Sequence, residues 1–290
     1  MMETVREKAY AKLNLTLDVT GLRADGYHEM CMVMQSIRLC DDLTITTGTG
    51  EGIKARTNFT FLPNEDKNIA VQAARLFCES TGIDPGGMLI DINKRIPVGA
   101  GMAGGSADAA AVLRTLDRLY DTKLGYDELC RLGMQLGSDV PFCVAGGTVL
   151  AEGRGEVFTQ LSAMPDCYIV ICKPRFSIST KMLFSQIDSV KIEHHPDTVG
   201  AMEAIAEGEL GELARRLYNV FETVLPRRFS AVADIKRKLI DGGALGSCMT
   251  GTGSAVFGLF DSARLAERSQ RYLSRQYQDV FLTRPLDRYM

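Results

Sequence analysis

Apolar and polar residues alternate from Val5 to Leu17, from Met30 to Ile37 and from Asp42 to Thr47, which predicts strand segments at the start of the chain. The period then changes. Ile69, Ala73, Leu76 and Phe77 recur at helical spacing and predict a helix from Asn68 to Glu79. Met88, Ile90 and Ile92 alternate with Leu89, Asp91 and Asn93, the pattern of a short strand. Ala109, Val112, Leu113, Leu116 and Tyr120 return to the helical period, with Ser106 or Asp108 placed to cap the first turn. A further helix is predicted over Asp127 to Leu136, and a strand over Gly147 to Glu152 ending in the turn Gly153-Arg154-Gly155.

The second half opens on a continuous apolar run, Cys167 to Lys173, which reads as a buried strand stopped by Pro174. Helical patterns follow at Thr180–Gln186, Val199–Ala206, Leu210–Val220 and Ser230–Ile240. Strand Ala255–Phe260, helix Ser262–Tyr277 with Asp261 as its cap, and strand Val280–Thr283 close the chain. Strands and helices mix without a regular βαβ alternation, so the expected class is α+β, in two domains of residues 1–160 and 161–290.

Composition narrows the function classes. Over 290 residues, 46% hydrophobic and 24% charged content is that of a globular protein with a sizeable core, and a net charge of −3 argues against a general nucleic-acid binder. No apolar run is long enough to span a bilayer and no basic leader precedes one, so a cytoplasmic location is expected. The eight cysteines form no C-x-x-C pair and sit mainly in apolar surroundings, as small buried hydrophobes of a reducing compartment. His194 and His195 would face opposite sides of a strand with no third ligand beside them, so no structural metal site is expected.

The chemistry concentrates in Pro97-Val98-Gly99-Ala100-Gly101-Met102-Ala103-Gly104-Gly105-Ser106-Ala107, set between a strand and a helix. Glycines let a ligand approach the backbone N–H groups, and a helix N-terminus adds unpaired donors and a positive dipole end. This suits a polyphosphate. A plain turn leaves four glycines in seven residues unexplained. Gly99-x-Gly101-x-x-Gly104 fits the dinucleotide fingerprint, but no strand-end acidic residue follows about 20 positions on. No Gly-Lys-Ser/Thr closes the run, which excludes a Walker-type loop.

Other segments accompany it: Ala9-Tyr10-Ala11-Lys12-Leu13-Asn14-Leu15, Gly26-Tyr27-His28, Gly137-Ser138-Asp139-Val140-Pro141 and Thr250-Gly251-Thr252-Gly253-Ser254. In this order they resemble the GHMP superfamily of small-molecule kinases, and within it the 4-diphosphocytidyl-2-C-methyl-D-erythritol kinase family, over residues 9 to about 260. The resemblance implies a ribosomal protein S5 domain 2-like N-terminal domain, a ferredoxin-like C-terminal domain and an active site in the cleft between them. It implies ATP-dependent phosphorylation of a hydroxyl of the cytidine diphosphate-linked methylerythritol, giving the 2-phosphate in the non-mevalonate route to isoprenoid precursors. Homoserine or a mevalonate relative is the alternative acceptor. Mg²⁺ is implied with ATP, and the chain would act as a monomer or homodimer.

Residue by residue, the resemblance makes 97–107, Asn68 and Lys94 the ATP side, and Asn14, Tyr27, His28, Thr180 and Phe184 the substrate side. Asp139 becomes the general base and Lys12 the stabilising cation, although Asp139 alone would suit a turn or helix cap. Lys12 lies in an apolar strand, where an interior ammonium needs a partner, and an ion pair with Asp139 would supply one. The sequence departs from the family pattern at Met102, at Ala107 (where a second serine is common) and in the turn 250–254.

Overall fold

The computed structural model describes residues 2–50, 52–63 and 65–288. Two long strands, β1 (Glu3–Leu22) and β2 (His28–Thr47), form an antiparallel hairpin. The two segments expected at 30–37 and 42–47 are therefore one strand, since the pairing with β1 continues along it. One stretch of β2 also pairs with β4 (Met88–Asn93), after β3 (Ile53–Thr57) and α1 (Ile69–Thr81), and β3 lies parallel to β4. The stretch nearer the hairpin turn pairs with β5 (Thr148–Gly153), reached through α2 (Gly104–Leu119), α3 (Gly125–Leu136) and α4 (Val140–Ala145). The helices cover the sheet, with α1 packed on α2 and α2 on β1 around buried Phe77, Leu113 and Leu116.

After β6 (Val157–Gln160) the chain enters β7 (Tyr168–Lys173), then α5 (Thr180–Asp188), α6 (Thr198–Glu207), α7 (Leu210–Arg215) and β8 (Tyr218–Asn219). Next come α8 (Ala231–Asp241), β9 (Gly246–Met249), β10 (Val256–Phe260), α9 (Ala263–Leu273) and β11 (Asp279–Thr283). The second sheet has the antiparallel order β11-β7-β10-β9, which is the split βαβ order of ferredoxin-like folds, as expected. No helix among the described residues is long and apolar enough to cross a membrane. No disulfide links the cysteines, and burial above all raises the Cys172 thiol to about 12.

Several local expectations are corrected. The helix expected over Leu210–Val220 stops at Arg215, because Tyr218 and Asn219 leave it to pair in parallel with Thr16 and Leu17 of β1. The last helix is capped by Ser262, whose Oγ accepts the Leu265 N–H, and not by Asp261. His194 and His195 lie in an irregular segment, not a strand, with His195 Nδ1 2.9 Å from the Asp18 carboxylate. The pairing of β8 with β1, and the bonds from Arg38 N–H to the Arg284 carbonyl and from Leu286 N–H to the Ser36 carbonyl, stitch the second half of the chain onto the first sheet.

Candidate active site

A cleft of about 600 Å³ is lined by the glycine run 97–106 and by Phe184, Thr180, Met30, Met32 and Arg154. The run reaches this position through unusual backbone geometry. Gly99 and Gly101 take φ of +64° and +74°, and Ala103, a non-glycine, takes +56° at the N-cap of α2. No side chain caps this helix: Ser106 and Asp108, the alternatives expected as its cap, both lie within it. The N–H groups of Gly104, Gly105 and Ser106 have no acceptor among the described residues, and they start a helix on the cleft wall. Unpaired donors at a helix start, next to glycines that keep side chains away, form an anion cradle.

Three successive carbonyls of the same loop, those of Ala100, Gly101 and Met102, are engaged. Lys12 N–H donates to the Met102 carbonyl (3.2 Å), Ala255 N–H to that of Ala100 (3.2 Å) and Thr250 Oγ1 to that of Gly101 (3.2 Å). β1 bulges between Tyr10 and Lys12, where this Lys12 N–H turns to the loop. With these oxygens pinned from behind by both halves of the chain, the loop turns its donors to the cleft.

Lys12 and Asp139 both face this cleft, as expected, but not as an ion pair. No contact within ion-pair distance joins them among the described residues. Lys12 Nζ instead donates to Asn14 Oδ1 at 2.6 Å, two residues along the same face of β1. Asn14 Oδ1 also accepts from Gly251 N–H (3.0 Å), so two donors from distant parts of the chain converge on one oxygen, and the Asn14 N–H donates to Thr250 Oγ1 (3.1 Å). Asn14, expected against the substrate, is fully buried and does not line the cleft; it holds the lysine. Asp139 does occupy a helix cap position, that of α4, yet its side chain makes no cap hydrogen bond and stays available at the cleft.

Asn68 and Lys94 line the glycine side, with polar atoms already committed. Asn68 Oδ1 caps α1 through the Ala70 N–H, and its Nδ2 donates to the Pro63 carbonyl. Lys94 Nζ bridges Asp41 Oδ2 (2.5 Å) and Asp108 Oδ2 (2.6 Å), all three side chains buried beneath the loop. Asp41 Oδ1 accepts the N–H groups of Arg95 and Ile96, fixing the entry to the glycine run. Burial pushes the Asp108 carboxyl up to about 8, with Lys94 drawing it down and Asp41 adding to the rise. Burial also works against the Lys94 ammonium, but Asp108 and Asp41 more than offset it and hold the lysine above its ordinary range. Lys94→Met leaves the buried Asp41 carboxylate and the neighbouring Asp108 carboxyl without their cation and is expected to lower unfolding free energy by about 3–5 kcal/mol, read as the shift in urea midpoint.

The His28 ring stacks on Phe184 (centroids 4.5 Å apart), and His28 Nε2 lies 2.7 Å from Asp188 Oδ1 at the end of α5. Phe184 and Thr180 line the cleft, whereas His28 sits behind Phe184. Tyr27 is exposed beside them, with the Arg154 guanidinium 3.7 Å over its ring. Thr180 Oγ1 meets Thr252 Oγ1 at 2.9 Å, linking α5 to the second glycine turn. Ala107 is in the buried body of α2. Asp41, Asp108 as a lysine partner, Asp188 and Arg154 were not foreseen. Arg154 carried a signal, a long cation held between two glycines in a hairpin turn.

The chain is similar to known proteins along its length. Residues 68–147 match the model of the GHMP kinases N terminal domain, and residues 201–279 that of the GHMP kinases C terminal. The 4-diphosphocytidyl-2-C-methyl-D-erythritol kinase of Clostridium novyi is 41% identical over 279 residues, covering 96% of this chain and 99% of its own. That of Clostridium acetobutylicum is 43% identical over 277 residues, covering 96% and 98%. A crystal structure of a 4-(cytidine 5'-diphospho)-2C-methyl-D-erythritol kinase superposes with a TM-score of 0.82 at 30% identity, covering 97% of this chain and 99% of that one. The homoserine kinase of Cytophaga hutchinsonii shares the fold at a TM-score of 0.73, at 16% identity and with 98% and 95% coverage. A cleft with an uncapped glycine-loop helix facing Lys12 and Asp139, in a chain this similar over its whole length, belongs to the 4-diphosphocytidyl-2-C-methyl-D-erythritol kinase family of the GHMP kinases.

Proposed function

We propose that this chain transfers the γ-phosphoryl group of ATP to a hydroxyl of 4-diphosphocytidyl-2-C-methyl-D-erythritol, giving the 2-phosphate, as a cytoplasmic monomer or homodimer. The observation that carries this reading is the single cleft in which the unpaired N–H groups at the start of α2 face both Lys12 and an Asp139 carboxylate left unused by its helix. Residues 1–160 supply the loop, the lysine and the aspartate, and residues 161–290 close the cleft with Thr180, Phe184 and the turn at 250–254.

The loop 97–107 holds the phosphates through its backbone, with Asn68 and Lys94 on the same side. Asp139 takes the proton of the attacking hydroxyl as its oxygen bonds to the γ-phosphorus and the bond from that phosphorus to the β-bridging oxygen breaks. Lys12, aimed by Asn14, places its ammonium where negative charge builds on the transferring group. Tyr27, His28, Phe184 and Thr180 offer aromatic faces and polar atoms to a cytidine. Among the described residues no cluster of three carboxylate, histidine or cysteine ligands stands ready for a metal. Mg²⁺ arriving with ATP would be held mainly by phosphates and water, with the Ser106 hydroxyl at the start of α2 as the wall oxygen that would reach it. When bound, it would offset phosphate charge.

The stacked His28–Phe184 pair favours a base-bearing acceptor over homoserine or a mevalonate relative. With ATP and Mg²⁺, the purified chain is expected to phosphorylate the cytidyl substrate with a kcat/KM at least about 10²-fold above those for homoserine and mevalonate, a site built for a base leaving groups unpaired with the smaller alcohols. A preference for either small alcohol, or ATP binding without transfer to any acceptor, overturns the reading.

A further inference from the structure

Four cations line the cleft among its described residues, and three have an evident station. Lys94 is bound by two carboxylates, Lys67 adjoins Asn68 on the glycine side, and Lys12 is anchored beside the reacting centre. The fourth is Arg154, which lines the cleft with Met30, Met32 and Phe184. It is held there by a tight hairpin: Gly155 N–H returns to the Glu152 carbonyl, and Gly153 and Gly155 take φ of +69° and +100°. Glu156 Oε2 accepts the backbone N–H of Arg154, not its guanidinium. The guanidinium carbon stands 3.7 Å over the Tyr27 ring, and Arg154 Nε is buried with no hydrogen-bond partner among the described residues. Asp25 feels its charge, but no carboxylate of the described residues lies within ion-pair distance.

A buried guanidinium N–H without an acceptor costs free energy unless a ligand supplies one. Arg154 stands over Tyr27, whose neighbour His28 stacks on Phe184, and it lines the same cleft as Phe184 and the glycine loop. A nucleotide base seated on those rings carries its phosphates toward the cleft, and two phosphates bring two negative charges to this cation. We propose that Arg154 is a specificity-determining residue for the acceptor, binding its diphosphate so that nucleoside diphosphate conjugates are preferred over uncharged or monophosphate acceptors. This rests on the proposed function and deepens it.

The test is titration calorimetry on the full chain, saturated with a non-hydrolysable ATP analogue, using cytidine, CMP and CDP as probes. Arg154→Met is expected to weaken CDP by roughly 10- to 100-fold, the loss of one or two charge-assisted hydrogen bonds, while cytidine changes less than about twofold. The KM for the cytidyl substrate should rise by a similar factor, with the KM for ATP unmoved, and Arg154→Lys should recover part of the loss. Equal losses for cytidine and CDP mean that Arg154 only props Tyr27 under the base, and overturn the proposal; so does an Arg154→Met protein that binds CDP as the unaltered chain does. An unaltered chain that neither binds CDP nor turns over the cytidyl substrate removes the proposed function itself, and this inference with it. Turnover by the unaltered chain, with no selective CDP loss in the variant, removes only the role of Arg154.

Discussion

Asp139→Asn is expected to lower kcat by roughly 10²–10⁴-fold, the range for loss of a positioned general base, with the KM for ATP changed less than about threefold. Asparagine keeps the volume and loses the carboxylate that accepts the proton. The structure adds a second expectation, about stability. An aspartate paired with buried Lys12 would leave an uncompensated charge on removal, at about 3–5 kcal/mol. Here Lys12 is held by Asn14 Oδ1 at 2.6 Å, and Asp139 makes no cap bond to α4. Asp139→Asn should therefore unfold within about 0.5 kcal/mol of the unaltered chain. Steady-state kinetics with adenine-nucleotide calorimetry measure the first effect, and urea unfolding the second. A kcat within tenfold of the unaltered chain removes Asp139 as the base; a loss of several kcal/mol restores the ion pair.

How far the sequence alone reaches is clearest at these same residues. Local periodicity placed α1, α2, β4 and β7 closely, because each buries one face or one continuous run and the apolar spacing records it. β9 (Gly-Ser-Cys-Met) and β6 carry no such period: they are short, and their partners β10 and β5 define them. The glycine loop, Lys12 and Asp139 were legible as chemistry. Clustered glycines cost backbone entropy and a lysine in an apolar strand costs desolvation, and a ligand or a polar partner offsets both. Their connections were not legible. The partner of Lys12 depended on the carboxamide two residues along, and that residue depended on Thr250 and Gly251, which are distant in sequence. Asp108 resembled a helix cap by position, but the helix began earlier, at Gly104, and Lys94 claimed the side chain. Tertiary pairing, and not local spacing, decides such roles.

Within the cleft that pairing is tightest at Gly101, and Gly101→Ala should be the most damaging single-methyl change there. The residue takes φ of +74°, and a Cβ there would overlap the Thr250 carbonyl oxygen and stand 3.0 Å from Gly253 N. Both neighbours are backbone, so neither can rotate away. The left-handed conformation itself costs an alanine about 1–2 kcal/mol. Gly125 separates the two terms, because it takes φ of +75° with nothing within 4 Å of an added Cβ. Gly125→Ala should show the backbone cost alone, with normal kinetics. Gly101→Ala must also push the loop away from the turn at 250–253, straining the Thr250 Oγ1 bond to the Gly101 carbonyl and the Ala255 bond to Ala100. Those bonds aim the N–H groups of α2, and a displacement on the order of 1 Å from a binding geometry costs about 10²-fold in rate. The expected result is kcat/KM for ATP down by about 10²-fold or more, with weakened binding of a non-hydrolysable ATP analogue, against near-normal values for Gly125→Ala. If the two alanine variants match in nucleotide affinity and differ only in unfolding free energy, the glycine at 101 serves the packing of two loops and the cradle does not depend on their contact.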